Sequence, residues 1–380
     1  MKFKKTLILL LCLAVLATMF VGCKDNDDDD NGSNGDDGEH VHGFDIDAAM
    51  ATFPPDTVMM RVGDLTVTWA ELYFFLHSAA AELSYGFMVE IDWDEEYIID
   101  SLLSEVVLNF SADEAIKLLV YEYAANVLGV ELSQDDLDII QTDIDSWRES
   151  AGGEAEFLVE LNGNGFFNLD VFKAFNRREF YPRLLLAKLY GDDFTDIADS
   201  SVADFVEQYS FMRAQHILLA FLREEDGYSL QEIDEHKTEL RIQADNLLAL
   251  LNEHADDDDF LDYFSILMWE HGEDPGMLNN PDGYLFQPSD MVAPFSEACA
   301  QLEYGQFSGI VVTSYGYHII LRLPVDYDDY PLGYNYTLRL LAVMEEFGNM
   351  LQQWHDEMEV EYTPEFDSIN LAEIFKASIS

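Results

Sequence analysis

Two histidines stand in places where histidine is uncommon. His216 lies in "MRAQHILL" and His318 in "YGYHIILRL", each inside an otherwise mostly apolar run that reads as a buried strand. A neutral imidazole carries one donor and one acceptor, so a buried one needs partners. If the two strands are central neighbours, side chains from one face of the sheet meet. The imidazoles then satisfy each other, one donating and one accepting, and nearby hydroxyls can extend the chain. Core filling accounts for either histidine alone. The pair, in matching strands with the Pro/Gly-rich acidic loop "EDPGMLNNPDGYLF" between them in sequence, points to a polar site. A metal centre would need Glu or Cys at ligand spacing, and neither strand supplies them, so no metal and no cofactor is expected.

The elements around the histidines form a compact sequence of their own. From about residue 205 to 327 the pattern runs strand ("MRAQHILLAF"), long helix ("HKTELRIQADNLLALLNEHA"), second helix ("DFLDYFSILMWEHG"), loop, short helix ("APFSEACAQL") and two strands ("FSGIVVTS", "YHIILRLP"). First and last strands are expected to be neighbours in one sheet, an α+β arrangement. Residues 57–204 read as mainly helical after a short strand candidate, "VMMRVGDLTVT". Thr68 with Glu71 suggests a capping box, and Ser111 and Ser133 are each expected to start a helix with acids in the first turn. Residues 328–380 hold an amphipathic helix too short for a domain of its own. It is expected to pack back on the helical part, which makes the α+β unit an insertion.

The N-terminus reads as an export signal. Lys2, Lys4 and Lys5 precede an apolar run from Leu7 to Val21 that is short for a span of about 20 residues, with Gly22-Cys23 after it. The ending "FVGC" resembles a bacterial lipobox, which implies a signal peptide over 1–22 and lipidation of Cys23; an uncleaved signal anchor is the alternative. Residues 23–56 are rich in Asp, Gly and Asn and are expected to be a disordered tether. His40 and His42 in it are read as solvated. With Cys12 in the signal and Cys23 lipidated, only Cys299 remains as a thiol, and no disulfide framework is possible. Cys299 sits on an apolar helix face and needs no role.

Charge excludes some functions. Against 75 Asp+Glu there are 19 Lys+Arg, a net charge of −56. Such a surface repels phosphate backbones and anionic head groups, so nucleic acid is not an expected partner.

The ordered set "RAQHILL", "GEDPG", "DGYLFQPSDMVAPFSEAC" and "LEYGQFSGIVVTSYGYHIILRL" resembles the parvulin-type peptidyl-prolyl isomerases, over about Met212 to Pro324. With the flanks, the chain resembles the PrsA/SurA-like extracytoplasmic foldase lipoproteins. The resemblance implies an α+β fold: a parvulin domain, an antiparallel sheet with surrounding helices, inserted in a mainly helical SurA-N/PrsA-like chaperone domain. It puts the family's histidine pair on His216 and His318 and its Cys-or-Asp position on Asp274. The proline-ring pocket falls on Met291 and Phe295, with Leu285 nearby. The implied activity is cis-trans isomerisation of X-Pro bonds and chaperoning of unfolded, newly secreted polypeptides from a lipid anchor on the outer face of the cell membrane. The alternative is a holdase whose parvulin domain no longer catalyses. The family's glycine pair is replaced by Asn280-Pro281-Asp282-Gly283, which alters the turn beside the site. Parvulins selective for phosphoserine carry a basic cluster after the first strand; here Arg223 is surrounded by acids, so a phosphate would be repelled.

Overall fold

The computed structural model describes Phe44 and residues 46–87, 91–98 and 101–375. The signal segment, Cys23, His40 and His42 lie outside the described residues. The chain divides into two compact units: one built from the residues up to Lys188 and again from Asn349, the other running from Leu189 to Gly348.

The first unit begins with helix α1 (Ile46–Thr52). The disordered tether expected over 23–56 is thus contradicted over Ile46–Thr52, which is helix. The reason is apolar: Ala49 is fully buried, and Phe44, Ile46, Met50 and Phe53 pack on the core. Strands β1 (Val58–Val62) and β2 (Leu65–Thr68) form a hairpin where a single strand candidate was expected, turning at Asp64 and Gly63, the latter at φ 57°. Helix α2 (Trp69–Phe87) follows, then the short pair β3 (Glu96–Ile98) and β4 (Ser101–Leu102) and helix α3 (Leu103–Leu128). Helices α4 (Gln134–Ser150), α5 (Glu154–Gly163) and α6 (Leu169–Tyr190) complete the series.

Ser133 caps α4, its hydroxyl accepting from the Asp136 N–H. Ser111 starts nothing: it lies inside α3, fully buried, because the apolar stripe through Leu103 and Val107 carries the helix past it. Glu71 accepts from both the N–H and the hydroxyl of Thr68, and its carboxylate also pairs with Arg178, which reaches Glu122 at 2.7 Å as well. One guanidinium thus ties α2, α3 and α6. At the other end of the chain, β9 (Val360–Tyr362) pairs antiparallel with β1, and Phe366, Leu371, Ile374 and Phe375 enter the same core.

The second unit is organised on a four-stranded antiparallel sheet, order β6-β5-β8-β7. After α7 (Asp199–Gln208), β5 (Met212–Ala220) pairs along its length with β8 (Gly316–Leu323). The edges are β6 (Tyr284–Phe286) and the two-residue β7 (Val311–Val312). Helices α8 (Leu230–His254) and α9 (Phe260–His271) cover one face, where Ile217, Leu219, Ile319 and Leu321 point. Helix α10 (Ala293–Ala300) covers the other, over Met212, Ala214, Phe286 and Ile320. This face carries the histidines. Helix α11 (Leu338–Glu357) begins in this unit, with Leu338 buried beside Phe211 and Leu285; its residues from Asn349 on belong to the first unit, where Trp354 lies against Tyr123 and His355 against Asp113.

Candidate functional site

Alternation along two strands delivers the histidines. His216 stands opposite Ile320 and His318 opposite Leu218, so the two are diagonal neighbours on one face of the β5–β8 ladder. Their Nδ1 atoms are 3.0 Å apart with rings nearly parallel, and both residues are 4% exposed. His216 Nε2 lies 2.7 Å from Asp274 Oδ2, and His318 Nε2 lies 2.8 Å from Thr313 Oγ1.

One set of proton positions satisfies every group with both rings neutral. The Tyr315 N–H donates to Thr313 Oγ1 at 3.0 Å, and the Thr313 hydroxyl donates to His318 Nε2. His318 Nδ1–H then donates to His216 Nδ1, and His216 Nε2–H donates to Asp274 Oδ2. The chain runs one way and ends on the carboxylate.

Asp274 opens the turn after α9. It is also the N-cap of the short 3-10 segment Pro275–Leu278, where its Oδ1 accepts from the Gly276 N–H at 2.9 Å. Oδ2 accepts from the Tyr284 hydroxyl at 2.9 Å in addition to His216. Partial burial works against the charge of this carboxylate. The hydrogen bonds from His216, Gly276 and Tyr284 outweigh it and hold the pKa at about 2. Burial lowers the His318 pKa to about 3, so that ring is neutral at physiological pH.

Phe295 of α10 sets its ring edge-on to both imidazoles, with centroids 5.2 Å from His216 and 5.6 Å from His318. Met291, one turn earlier, packs half-buried on the same cluster. At the Asp274 end a cleft of about 220 Å³ is lined by His216, Trp269, Asp274, Pro275, Met277 and Leu278. Together these give a buried polar chain with apolar side chains beside it. Cys299 is buried beneath α10, and burial pushes its thiol pKa up, so it stays protonated and inert.

The sequence-expected residues divide accordingly. His216, His318, Asp274 and Phe295 are brought together, and Met291 packs on the apolar cluster that contains Phe295; Leu285 is elsewhere. Leu285 pairs with Arg213, one step out of phase with the histidines, and packs with Phe211 and Leu338 on the opposite side of the strand. Its neighbour Tyr284, opposite Ala214, takes the histidine face instead. Tyr284 and Thr313 are the site residues that sequence reasoning missed. A period-2 count from Ala214 through the β5–β6 pairing would have found Tyr284, but that pairing is set by the fold. Thr313 lies five residues before His318 in a turn, and nothing local marks its direction.

The family model of the PPIC-type PPIase domain matches residues 188–322, which contain every site residue named above. This segment is a parvulin domain. Beyond it, the chain is similar to the foldase protein PrsA of Geobacillus sp. (strain WCH70), 29% identical over 209 residues, 54% of this chain and 61% of that protein. It is 27% identical over 183 residues to the foldase protein PrsA of Geobacillus kaustophilus (strain HTA426), 48% of this chain and 52% of that protein. The chain thus spans less than two thirds of either relative. Among solved structures, PrsA from Bacillus subtilis is 19% identical, covering 70% of this chain and 91% of that one, with a TM-score of 0.24. Peptidylprolyl isomerase PrsA from Bacillus cereus is 16% identical, covering 70% and 90%, with a TM-score of 0.30. At such TM-scores it is the family match, and not superposition, that assigns the parvulin domain.

Proposed function

We propose that this chain is a peptidyl-prolyl cis-trans isomerase and folding chaperone for secreted polypeptides, working outside the cytoplasm from a lipid on Cys23. The boundaries that go with it are a signal peptide over 1–22, a tether reaching to the start of α1, a parvulin domain within 205–327 and a helical chaperone domain completed by the C-terminal segment. The observation that carries the reading is the His318–His216–Asp274 chain, flanked by Phe295, on whose cluster Met291 packs.

The chemistry required is small. Rotation about an X-Pro bond breaks no bond; its barrier, close to 20 kcal/mol, is the loss of amide resonance. Catalysis consists of binding the twisted amide better than either planar isomer. Phe295 and Met291 offer an apolar seat for the proline ring and keep water from its nitrogen. In the planar amide the carbonyl oxygen carries extra negative charge, which returns to nitrogen on twisting. A fixed anion at Asp274 near that carbonyl disfavours the planar form relative to the twisted one. Burial keeps His318 neutral, so it does not discharge the anion.

For the chaperone activity, apolar side chains stand exposed on the helical unit, among them Val127, Ile139, Trp147 and Val159. No described helix is long and apolar enough to cross a membrane.

The test is the cis-to-trans rate of an unphosphorylated X-Pro peptide with wild type, His216→Ala, Asp274→Ala and Met291→Ala. Acceleration by wild type that drops tenfold or more in the variants, with folds intact by circular dichroism, is the expected result. A folded wild type that gives no acceleration yet suppresses aggregation of an unfolded client would mean a non-catalytic holdase.

A further inference from the structure

Three pieces of chain converge on the Asp274 carboxylate. His216 reaches Oδ2 from β5 at 2.7 Å, Tyr284 reaches the same oxygen from β6 at 2.9 Å, and the Gly276 N–H holds Oδ1 at 2.9 Å. Tyr284 stands opposite Ala214, two residues before His216 on the same face, and its ring lies 6.0 Å from the imidazole between centroids. The hydroxyl reaches the carboxylate only because residue 276 has no side chain: a Cβ there would sit 1.8 Å from the Tyr284 oxygen and 3.2 Å from Asp274 Oδ1. Tyrosine and glycine are therefore a matched pair, one supplying the donor and the other the space.

We propose that Tyr284 is a positioning residue of this site, fixing the Asp274 carboxylate, through the space left at Gly276, with Oδ2 turned toward His216 as the terminus of the histidine chain. The proposal rests on the isomerase reading. Two donors on Oδ2 and one on Oδ1 leave the carboxylate no freedom to rotate away from the ring. Burial and the neighbouring carboxylate both push the Tyr284 pKa up, so the phenol remains a donor throughout the working range. The titratable groups facing Asp274 are His216 from β5 with His318 behind it, and Tyr284 from β6. Glu273, next to it in the chain, is turned to the Ala220 N–H, and no Lys or Arg among the described residues pairs with Asp274.

The experiment uses the full chain labelled with ¹⁵N-histidine, as wild type, Tyr284→Phe, Gly276→Ala and the double variant. The His216 and His318 ring nitrogens, identified among the nine histidines by single deletions, report protonation of the site. Losing one hydrogen bond to a charged group should move the acid titration of the site up by about one to two pH units in Tyr284→Phe. Gly276→Ala should do the same by displacing the hydroxyl, and the double variant should be no worse than either single one. In turnover, kcat should fall about tenfold with KM little changed, which a purely structural loss would not produce. An unshifted titration with wild-type kcat in Tyr284→Phe would overturn the proposal, and if that variant does not fold, Gly276→Ala decides it by the same readings. If wild type shows no isomerase activity, the functional reading fails, while the ring titration, which needs no turnover, still decides the role of Tyr284.

Discussion

His318 lies almost wholly out of water, 4% exposed. Its folded pKa is lowered to about 3 from 6.5, because burial disfavours the imidazolium. Between those values the unfolded chain binds more protons than the folded one at this residue, so stability rises with pH across the window. The contribution is complete above about pH 6.5 and is lost as pH falls toward 3. Replacing His318 with Gln should flatten this dependence. The difference in unfolding free energy between pH 7 and pH 4.5, measured in urea, should shrink by on the order of 2 kcal/mol. Neither His318 nor Asp274 titrates between about pH 5.5 and 8, so wild type and His318→Gln should show the same shape of pH dependence in the isomerisation rate over that range. A limb near neutrality that is present in wild type and lost in His318→Gln would contradict a His318 ring that is neutral throughout that range.

The elements owe their arrangement to two close approaches. β5 and β8 pair over eight residue pairs, from Arg213↔Leu323 to Ala220↔Gly316, and this ladder sets the diagonal of the histidines. At its end Gly316 lies so near Leu219 that a Cβ would stand 2.0 Å from that carbonyl oxygen. Gly316→Ala must push the strands apart; a loss of about 1–3 kcal/mol in urea unfolding is expected, with weaker catalysis because His318 moves with the strand. The opposite sign is expected in α3, where the Ser111 hydroxyl is buried without a hydrogen-bond partner among the described residues. Ser111→Ala removes an unsatisfied group and favours the helix. It should raise the melting temperature, equivalent to about 1 kcal/mol.

At the scale of the whole molecule the net charge of −56 dominates. Self-repulsion of that size weakens the compact state and is screened as the Debye length falls from about 30 Å at 0.01 M salt to about 8 Å at 0.15 M. The melting temperature should therefore rise over that range of salt. Capture of a cationic unfolded client should weaken over the same range, while capture of a neutral one should not. Equal salt responses for the two clients would mean that charge plays no part in holding them.

The sequence alone determined the residue types and their periodicity, and so the histidine-bearing strands, the helix order and the order of motifs that pointed to a parvulin. Strand alternation is local, so His216 and His318 could be placed on one face once their strands were taken as neighbours. The start of α4 at Ser133 was legible for the same reason, since a cap acts within four residues. What spans longer distances was decided by tertiary structure. The β5–β6 register put Tyr284 on the histidine face and turned Leu285 away from it. An uninterrupted apolar stripe overrode the cap signal at Ser111. Packing on a distant core turned residues 46–52 into helix despite an acidic, tether-like approach. Register and core membership depend on partners far away in the chain, and a residue's own neighbours in sequence carry no record of them.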